Sequence, residues 1–168
     1  MRRIYVFKAI LLGAAIGVLS FGPASFARDL HGKFGLGYNS EFSNSTQTNG
    51  VPAVSLKYGM TRDIDLNLIF GINTGSPTNS VTALKFFKNI FFENNLNFYF
   101  LLAGGILSAN SASSFEFLSG FGAEFFIPGI ESMGLLFETG VSFTNLTGSF
   151  ALKTLGASFL NAGIHFYF

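Results

Sequence analysis

The sequence predicts an all-β protein, a transmembrane antiparallel up-and-down β-barrel of eight strands that follows an N-terminal signal peptide. Three observations lead to this fold class. The chain opens with a charged and then apolar leader. Eight later segments alternate between large apolar residues and small or polar ones. The composition is 49% hydrophobic but only 11% charged, whereas about a quarter of the residues of a soluble domain are charged.

Residues 1–27 have the organisation of a secretory signal peptide. Residues 9–21 form an apolar stretch without a charge, and Ser25-Phe26-Ala27 offers small residues where signal peptidase cleaves. An apolar core of about 13 residues is short for a membrane-spanning helix, which needs roughly 20. We therefore expect cleavage after Ala27 and a mature barrel domain of 28–168. The positive charges that precede the apolar core are Arg2, Arg3 and Lys8.

The first three segments alternate most clearly. In the third, Ile64, Leu66 and Leu68 point one way, while Asp65 and Asn67 point the other. A period of two residues places alternate side chains on opposite faces of a strand. These three predicted strands are 30–42, 53–60 and 64–73.

The other five segments follow the same pattern with more interruptions. The fourth is blurred by Phe86-Phe87, although Lys85 still opposes Leu84. Segments of about ten residues have the length of tilted strands that cross a bilayer. These five predicted strands are 80–88, 95–107, 115–126, 134–143 and 157–168.

The apolar faces distinguish a membrane barrel from a soluble β-sandwich, which would alternate as well. Phe, Leu, Ile and Val dominate one face of the segments, and this surface is too extensive for one small soluble core. The opposite face is rich in Gly, Ala and Ser, as a narrow barrel interior requires. We therefore expect the apolar faces to contact lipid.

The predicted connections alternate between tight turns and longer links. Short turns at one end and longer polar loops at the other are typical of bacterial barrels. Closure between the first and last strands would leave no unpaired backbone in the hydrocarbon region. The predicted tight links are 61–63, 89–94 and 127–133, and the opposite links are 43–50, 74–79, 108–114 and 144–156.

Composition excludes several classes of protein. The absence of Cys rules out disulfide frameworks, thiolate metal sites and lipoprotein anchors. Removal of the leader leaves fewer basic than acidic residues, so no basic surface for nucleic acid remains. Two His residues and scattered carboxylates show no metal-ligand spacing. We expect no cofactor.

The last eight residues, Asn161-Ala162-Gly163-Ile164-His165-Phe166-Tyr167-Phe168, are the most specific motif of the chain. They resemble the C-terminal assembly signal of outer-membrane barrels, with Asn161, Gly163, Phe166 and Phe168 at its recognition positions. Following a leader and seven similar strands, they make the mature chain resemble the small eight-stranded outer-membrane barrels of the OmpA transmembrane-domain and OmpX type. The absence of Trp departs from that pattern, and Phe and Tyr would form the interfacial girdles.

The resemblance implies a location and partners. It implies a monomer in the bacterial outer membrane, exported by its leader and contacting outer-membrane lipid. It also implies transient contact with periplasmic chaperones and the barrel assembly machinery. It does not indicate a ligand.

The inward charges are the candidate functional residues. An isolated charge inside a narrow barrel is costly, so these groups should pair across the interior. We expect Lys57 and Lys85 to meet Glu138 and Asp65. The charges form either an ion-pair network that plugs the barrel or the lining of a narrow conduit. The residues assigned to this network are Lys33, Lys57, Asp65, Lys85, Glu116, Glu124, Glu138 and His165, with Glu41 and His31 on the same predicted face.

Three classes of function follow. A structural or surface-interaction role is favoured, and permeation of small solutes is the alternative. A lipid-modifying enzyme is the third class, because some small outer-membrane barrels act on lipids. Nucleophilic catalysis would require a Ser beside an oriented His, and the sequence places only His31 and His165, both near one rim. We therefore expect no enzymatic activity and no catalytic residues.

Overall fold

A computed structural model describes residues 29–39, 53–75, 78–109, 112–130, 132–145, 149–155 and 161–168. The predicted leader 1–27 and Glu41 lie outside these residues. No helix within these ranges has the length and apolar character needed to cross a membrane. The strands are β1 (Phe34–Asn39), β2 (Ala53–Gly59), β3 (Ile64–Asn73), β4 (Asn79–Glu93), β5 (Leu96–Ala109), β6 (Ala112–Phe126), β7 (Met133–Thr144), β8 (Ala151–Thr154) and β9 (Asn161–Tyr167).

The strands form one closed antiparallel barrel. Each strand from β1 to β7 pairs with its successor. β9 then pairs with β7 on one side and with β1 on the other, which closes the wall. The predicted eight-stranded up-and-down barrel is therefore confirmed. Residues 60–63, 94–95 and 127–132 connect the strands at one end, here called the turn end, and the opposite end is called the loop end.

Two strands, β8 and β9, occupy the position of the predicted eighth strand, and the sequence pattern did not indicate this. β8 pairs with the loop-end half of β7, through Thr144↔Ala151 to Val141↔Thr154. β9 pairs with the turn-end half, through Glu138↔Asn161 to Met133↔Phe166. β8 and β9 thus occupy the same position in the wall, and the expectation that 144–156 is a loop was wrong for 151–154. The last predicted strand, 157–168, is described only from Asn161.

Two other predicted links are shorter in the structure. β4 continues through the predicted turn 89–94 to Glu93, past a register shift between Asn89 and Phe91. The β5–β6 ladder runs to Ala109↔Ala112, so most of the predicted loop 108–114 belongs to β5 and β6. In both places a polar stretch suggested a loop, but cross-strand backbone hydrogen bonds extend the ladder through it.

Burial follows the predicted period of two. Along β2, Val54, Leu56 and Tyr58 are exposed on the outside, whereas Ser55 and Lys57 are buried inside. Residues of one parity therefore form the outer apolar wall, and residues of the other fill the interior, here called the lumen.

The lumen is more apolar than the sequence analysis described. It expected small and polar inward residues, but Ile69, Phe87, Leu101, Leu118 and Leu136 are buried there as well. These residues have inward parity on their strands, so the alternation contained the signal. The prediction of the inner face left these five residues unassigned, because it considered mainly the small and polar members of that face.

The outer wall yields a test of the membrane-facing assignment. Leu68 is exposed at the middle of β3, between its register partners Leu56 and Leu84. Replacing Leu68→Arg should lower the free energy of unfolding by about 2–4 kcal/mol, because a cation at the bilayer midplane loses its hydration. Equilibrium unfolding in urea, with protein folded in lipid vesicles, measures this loss.

Met60→Arg is the matched control, because Met60 is equally exposed but lies at the turn end. Near the interface the same cation should cost about 0–1 kcal/mol. Equal losses for the two variants would contradict the orientation of the barrel across the bilayer.

Candidate functional site

Five charged side chains form a buried cluster in the lumen, here called the charged layer. None of them is more than 1% exposed. They come from β2, β3, β4, β6 and β7, so strands from all around the wall contribute to it. Charge burial of this kind is tolerated in proteins only when the groups pair with one another. The charged layer consists of Lys57, Asp65, Lys85, Glu124 and Glu138.

Lys57 pairs with two carboxylates. Its Nζ lies 2.7 Å from Glu124 Oε2 and 3.4 Å from Asp65 Oδ2. Glu124 lies on β6 and therefore approaches Lys57 across the lumen, whereas Asp65 lies on the adjacent β3. The sequence hypothesis named Asp65 and missed Glu124 as the nearer partner, because β2 and β6 are not neighbours in the wall.

Lys85 pairs with Glu138, as the sequence hypothesis proposed. Lys85 Nζ donates to Glu138 Oε2 over 2.6 Å, and Tyr99 Oη donates to the other oxygen, Oε1, over 2.7 Å. Both carboxylate oxygens of Glu138 are therefore occupied. Charge-assisted hydrogen bonds of this kind are stronger than neutral ones.

Aromatic rings enclose the ammonium group of Lys57. The Nζ atom lies 4.7 Å from the centroid of Phe87, 5.6 Å from that of Tyr99 and 5.9 Å from that of Tyr167. Phe87 and Tyr99 themselves meet edge to face, with their centroids 4.9 Å apart. The negative faces of the rings compensate part of the hydration that burial removes from the ammonium.

Inward glycines make room for this cluster. A β-carbon on Gly122 would lie 2.6 Å from the Tyr99 ring and 2.8 Å from Glu138 Cγ. A β-carbon on Gly134 would lie 2.5 Å from Glu124 Oε1. The large polar side chains thus occupy space above glycine backbone on the neighbouring strands, which explains why the predicted inner face is rich in Gly.

The structure separates two predicted members from the charged layer. Glu116 is buried, but it lies near the loop end, opposite Gly105 and Thr144. It stands eight residues from Glu124 along β6, a distance of about 26 Å along an extended strand. Lys33 is half-buried just before β1, and no ion pair found among the described residues involves it.

His31 does not lie on the inner face. It is exposed, and its backbone N–H donates to Asp29 Oδ1 over 2.9 Å. The next residue, Gly32, has a φ of 73°, a left-handed conformation that redirects the chain into β1. The bend breaks the alternation before the strand begins, so the extrapolated inward position was wrong.

An apolar layer separates the charged layer from the loop end. On β3, the inward sequence passes from Asp65 and Asn67 to Ile69. On β6 it passes from Glu124 through two glycines to Leu118. The buried residues that form this apolar layer are Ile69, Val81, Ala83, Ala103, Leu107, Leu118 and Leu155.

Ser55, His165 and Glu124 bring together the residue types of a hydrolytic triad. Ser55 Oγ lies 2.7 Å from His165 Nε2, and His165 Nδ1 lies 3.7 Å from Glu124 Oε1. The second distance is too long for a hydrogen bond, and none of the three residues is exposed. Sequence reasoning missed the pair because Ser55 and His165 are 110 residues apart. The arrangement lacks the access that an attacking Ser requires.

The proposed assembly-signal residues occupy both faces of β9. Asn161 is buried, Gly163 is half-buried, and Phe166 and Phe168 project outward with 50% and 76% exposure. The two phenylalanines are therefore accessible from outside the wall. No group of three or more His, Asp or Glu side chains in the described part of the chain is arranged to hold a metal ion.

The charged layer yields a stability prediction. Glu138→Ala removes the carboxylate that Lys85 Nζ bonds to and should cost about 3–5 kcal/mol, because the buried ammonium loses this counter-charge. The double variant Lys85→Met with Glu138→Gln should lose much less, since it removes both charges together. Urea unfolding in vesicles compares the two variants.

The exposed ion pair provides the control. Lys88 Nζ lies 3.2 Å from Asp63 Oδ2, and both side chains are nearly half exposed. Lys88→Ala should cost at most about 1 kcal/mol. If Glu138→Ala were as mild as Lys88→Ala, the buried pair would contribute nothing that a surface pair does not.

Comparison with known proteins supports the fold. No protein-family model matches this sequence, and no curated relative does either. The structure is similar to the N-terminal β-barrel domain of Pseudomonas aeruginosa OprF, with a TM-score of 0.51 and 14% identity over 81% of this chain and 96% of that one. A second similar structure is the Yersinia pestis outer membrane protein Ail, with a TM-score of 0.43 and 13% identity over 81% of this chain and 100% of that one. The chain thus has the fold of a small eight-stranded outer-membrane β-barrel.

Proposed function

We propose that this chain is an integral outer-membrane barrel protein whose lumen is closed, and that its role is structural or one of surface interaction. The observation that carries the proposal is the succession of two different layers inside the barrel. Solutes that enter from the turn end meet the buried cluster of Leu30, Phe126 and Tyr167, then the charged layer and the apolar layer behind it.

The charged layer obstructs passage because its members are bound to one another. Lys57 and Lys85 bridge β2 and β4 to β6 and β7 across the lumen. A solute could pass only if these pairs separated, and separating a buried ion pair costs several kcal/mol. The rings of Phe87 and Tyr99 fill the space beside them.

The apolar layer supports closure independently of the charges. Ile69, Leu118 and Leu155 are at most 1% exposed, so their side chains fill the section that they occupy. Ions and polar solutes would lose their hydration there without gaining polar partners. This layer argues against the alternative function, steady permeation of small solutes.

The polar triad-like group also fits a structural role. Ser55 and His165 are completely buried, and an acyl substrate would have to displace the charged layer to reach them. We infer that the protein is not an enzyme. Detection of lipid hydrolysis that is lost in His165→Ala protein would overturn this inference.

Export and location complete the proposal. Residues 1–27 would direct the chain across the inner membrane, and the mature domain 28–168 would insert into the outer membrane as a monomer. The barrel assembly machinery would recognise the outward face of β9. N-terminal analysis of protein extracted from outer membranes should begin at Arg28, and a start at Met1 would contradict cleavage.

Conductance in planar lipid bilayers tests the closed lumen. Purified wild-type protein should show no steady open current, because both layers block the interior. A variant with Lys85→Ala, Glu138→Ala and Leu118→Ala should conduct if it remains folded. Two of its substitutions remove an ion pair from the charged layer, and the third removes a large side chain from the apolar layer. Folding is checked by the different gel mobilities of unheated and boiled protein.

A boiled sample at the same concentration serves as the control for leakage that does not depend on the barrel. Steady currents from folded wild-type protein, absent after boiling, would overturn the proposal and favour the permeation role.

A further inference from the structure

The β1–β9 pairing closes the barrel. Within the described residues it extends from Gly35↔Tyr167 to Tyr38↔Ile164, with added backbone bonds between Phe34 and Phe168. Side chains of β9 add to this backbone pairing on both sides of the strand.

A side chain of β9 reaches across the seam. His165 Nε2 lies 2.7 Å from the hydroxyl of Ser55, which belongs to β2 and not to the adjacent β1. Gly37 of β1 is the register partner of both residues. A β-carbon at Gly37 would lie 2.2 Å from His165 Cδ2, so the ring passes over β1 only because residue 37 has no side chain.

A second side chain of β9 bonds to a strand on the other side of β9. Tyr167 Oη donates to Glu124 Oε1 over 2.5 Å, and Glu124 belongs to β6, beyond the adjacent β7. Gly134 of β7 is the register partner of His165, and a β-carbon there would meet Glu124 Oε1 at 2.5 Å. A glycine again provides the gap through which the contact is made.

We propose that His165 and Tyr167 form a seam latch, which holds the last strand in place by bonding to Ser55 and Glu124 across glycine gaps on both sides. The latch adds side-chain bonds to the backbone pairing of the β1–β9 seam and keeps it closed. In this way the inward face of the final strand completes the barrel, while the outward face remains free for recognition. This inference does not depend on whether the lumen conducts.

Hydrogen–deuterium exchange of the folded protein in vesicles tests the latch. Ser55→Ala removes the hydroxyl that bonds to His165. Tyr167→Phe, which removes the bond to Glu124, is the second variant and is used if Ser55→Ala does not fold. Exchange of the amides in 34–39 and 161–167 should accelerate roughly three- to tenfold, as expected for the loss of one buried hydrogen bond. The amides of β4 and β5 should not change.

Ser142→Ala is the matched control, because Ser142 is also a buried lumen serine and its hydroxyl lacks a hydrogen-bond partner within the described residues. It should leave the seam protected. If Ser142→Ala accelerated exchange at the seam as strongly as Ser55→Ala, or if Ser55→Ala accelerated exchange evenly around the wall, the latch would be ruled out.

A covalent tether distinguishes seam opening from general loosening. The chain has no Cys, so single disulfides can be introduced without interference. Tyr38→Cys with Ile164→Cys joins register partners across the seam, and Leu56→Cys with Leu68→Cys joins partners on β2 and β3. Cα atoms about 5.5 Å apart in such antiparallel pairs suit a disulfide.

Only the seam disulfide should restore slow exchange to Ser55→Ala protein. Equal restoration by both disulfides, or by neither, would show that Ser55 stabilises the barrel generally and would overturn the proposal. A conducting wild-type barrel with a protected seam would refute the closed lumen alone, so the two proposals fail separately.

Discussion

Every backbone N–H and C=O that crosses the hydrocarbon of a membrane needs a partner within the protein, and most other features of this barrel follow from that constraint. Antiparallel pairing satisfies the backbone, and the pairing of β9 with β1 closes the sheet. Closure of only eight strands makes the lumen narrow, so side chains alone must fill it. The sequence therefore alternates along each strand, because every second side chain contacts lipid and the side chains between them are enclosed in the lumen.

The narrow lumen also explains why charges and glycines occur together. Lys57 and Lys85 are long enough to reach carboxylates on the far wall, which a shorter side chain could not reach. Such reach requires that intervening strands offer no side chain at the crossing points. Gly122 and Gly134 meet that requirement beside Glu138 and Glu124. Each carboxylate of the network therefore depends on a glycine of the adjacent strand. Neither residue of such a glycine–carboxylate pair can change in size independently of the other.

Local sequence could predict the wall, because alternation and strand length are local properties. Phe34, Leu36 and Tyr38 could be assigned to the outside from spacing alone, and the Lys85–Glu138 pair followed from opposite charges of inward parity. The partner of Lys57 could not be predicted, since register and tilt decide which distant strands meet across the lumen. The contact between Ser55 and His165 could not be predicted either, because it also depends on register and tilt. The bend at Gly32 depends on a backbone conformation that the alternation does not indicate, and the pairing of 151–154 with β7 depends on register.

The lumen constrains the identity of its side chains more tightly than the outer wall does. Outside, exchange of one large apolar side chain for another preserves contact with lipid, because fluid acyl chains adapt to any shape. Inside, each side chain meets a fixed partner: Tyr99 bonds to Glu138, Tyr167 to Glu124 and His165 to Ser55. These bonds join strands that are not neighbours, so they fix the circumference of the barrel in a way that the ladders alone do not. A single barrel geometry is therefore selected mainly by the lumen, whereas the outer face mainly determines that the barrel resides in lipid.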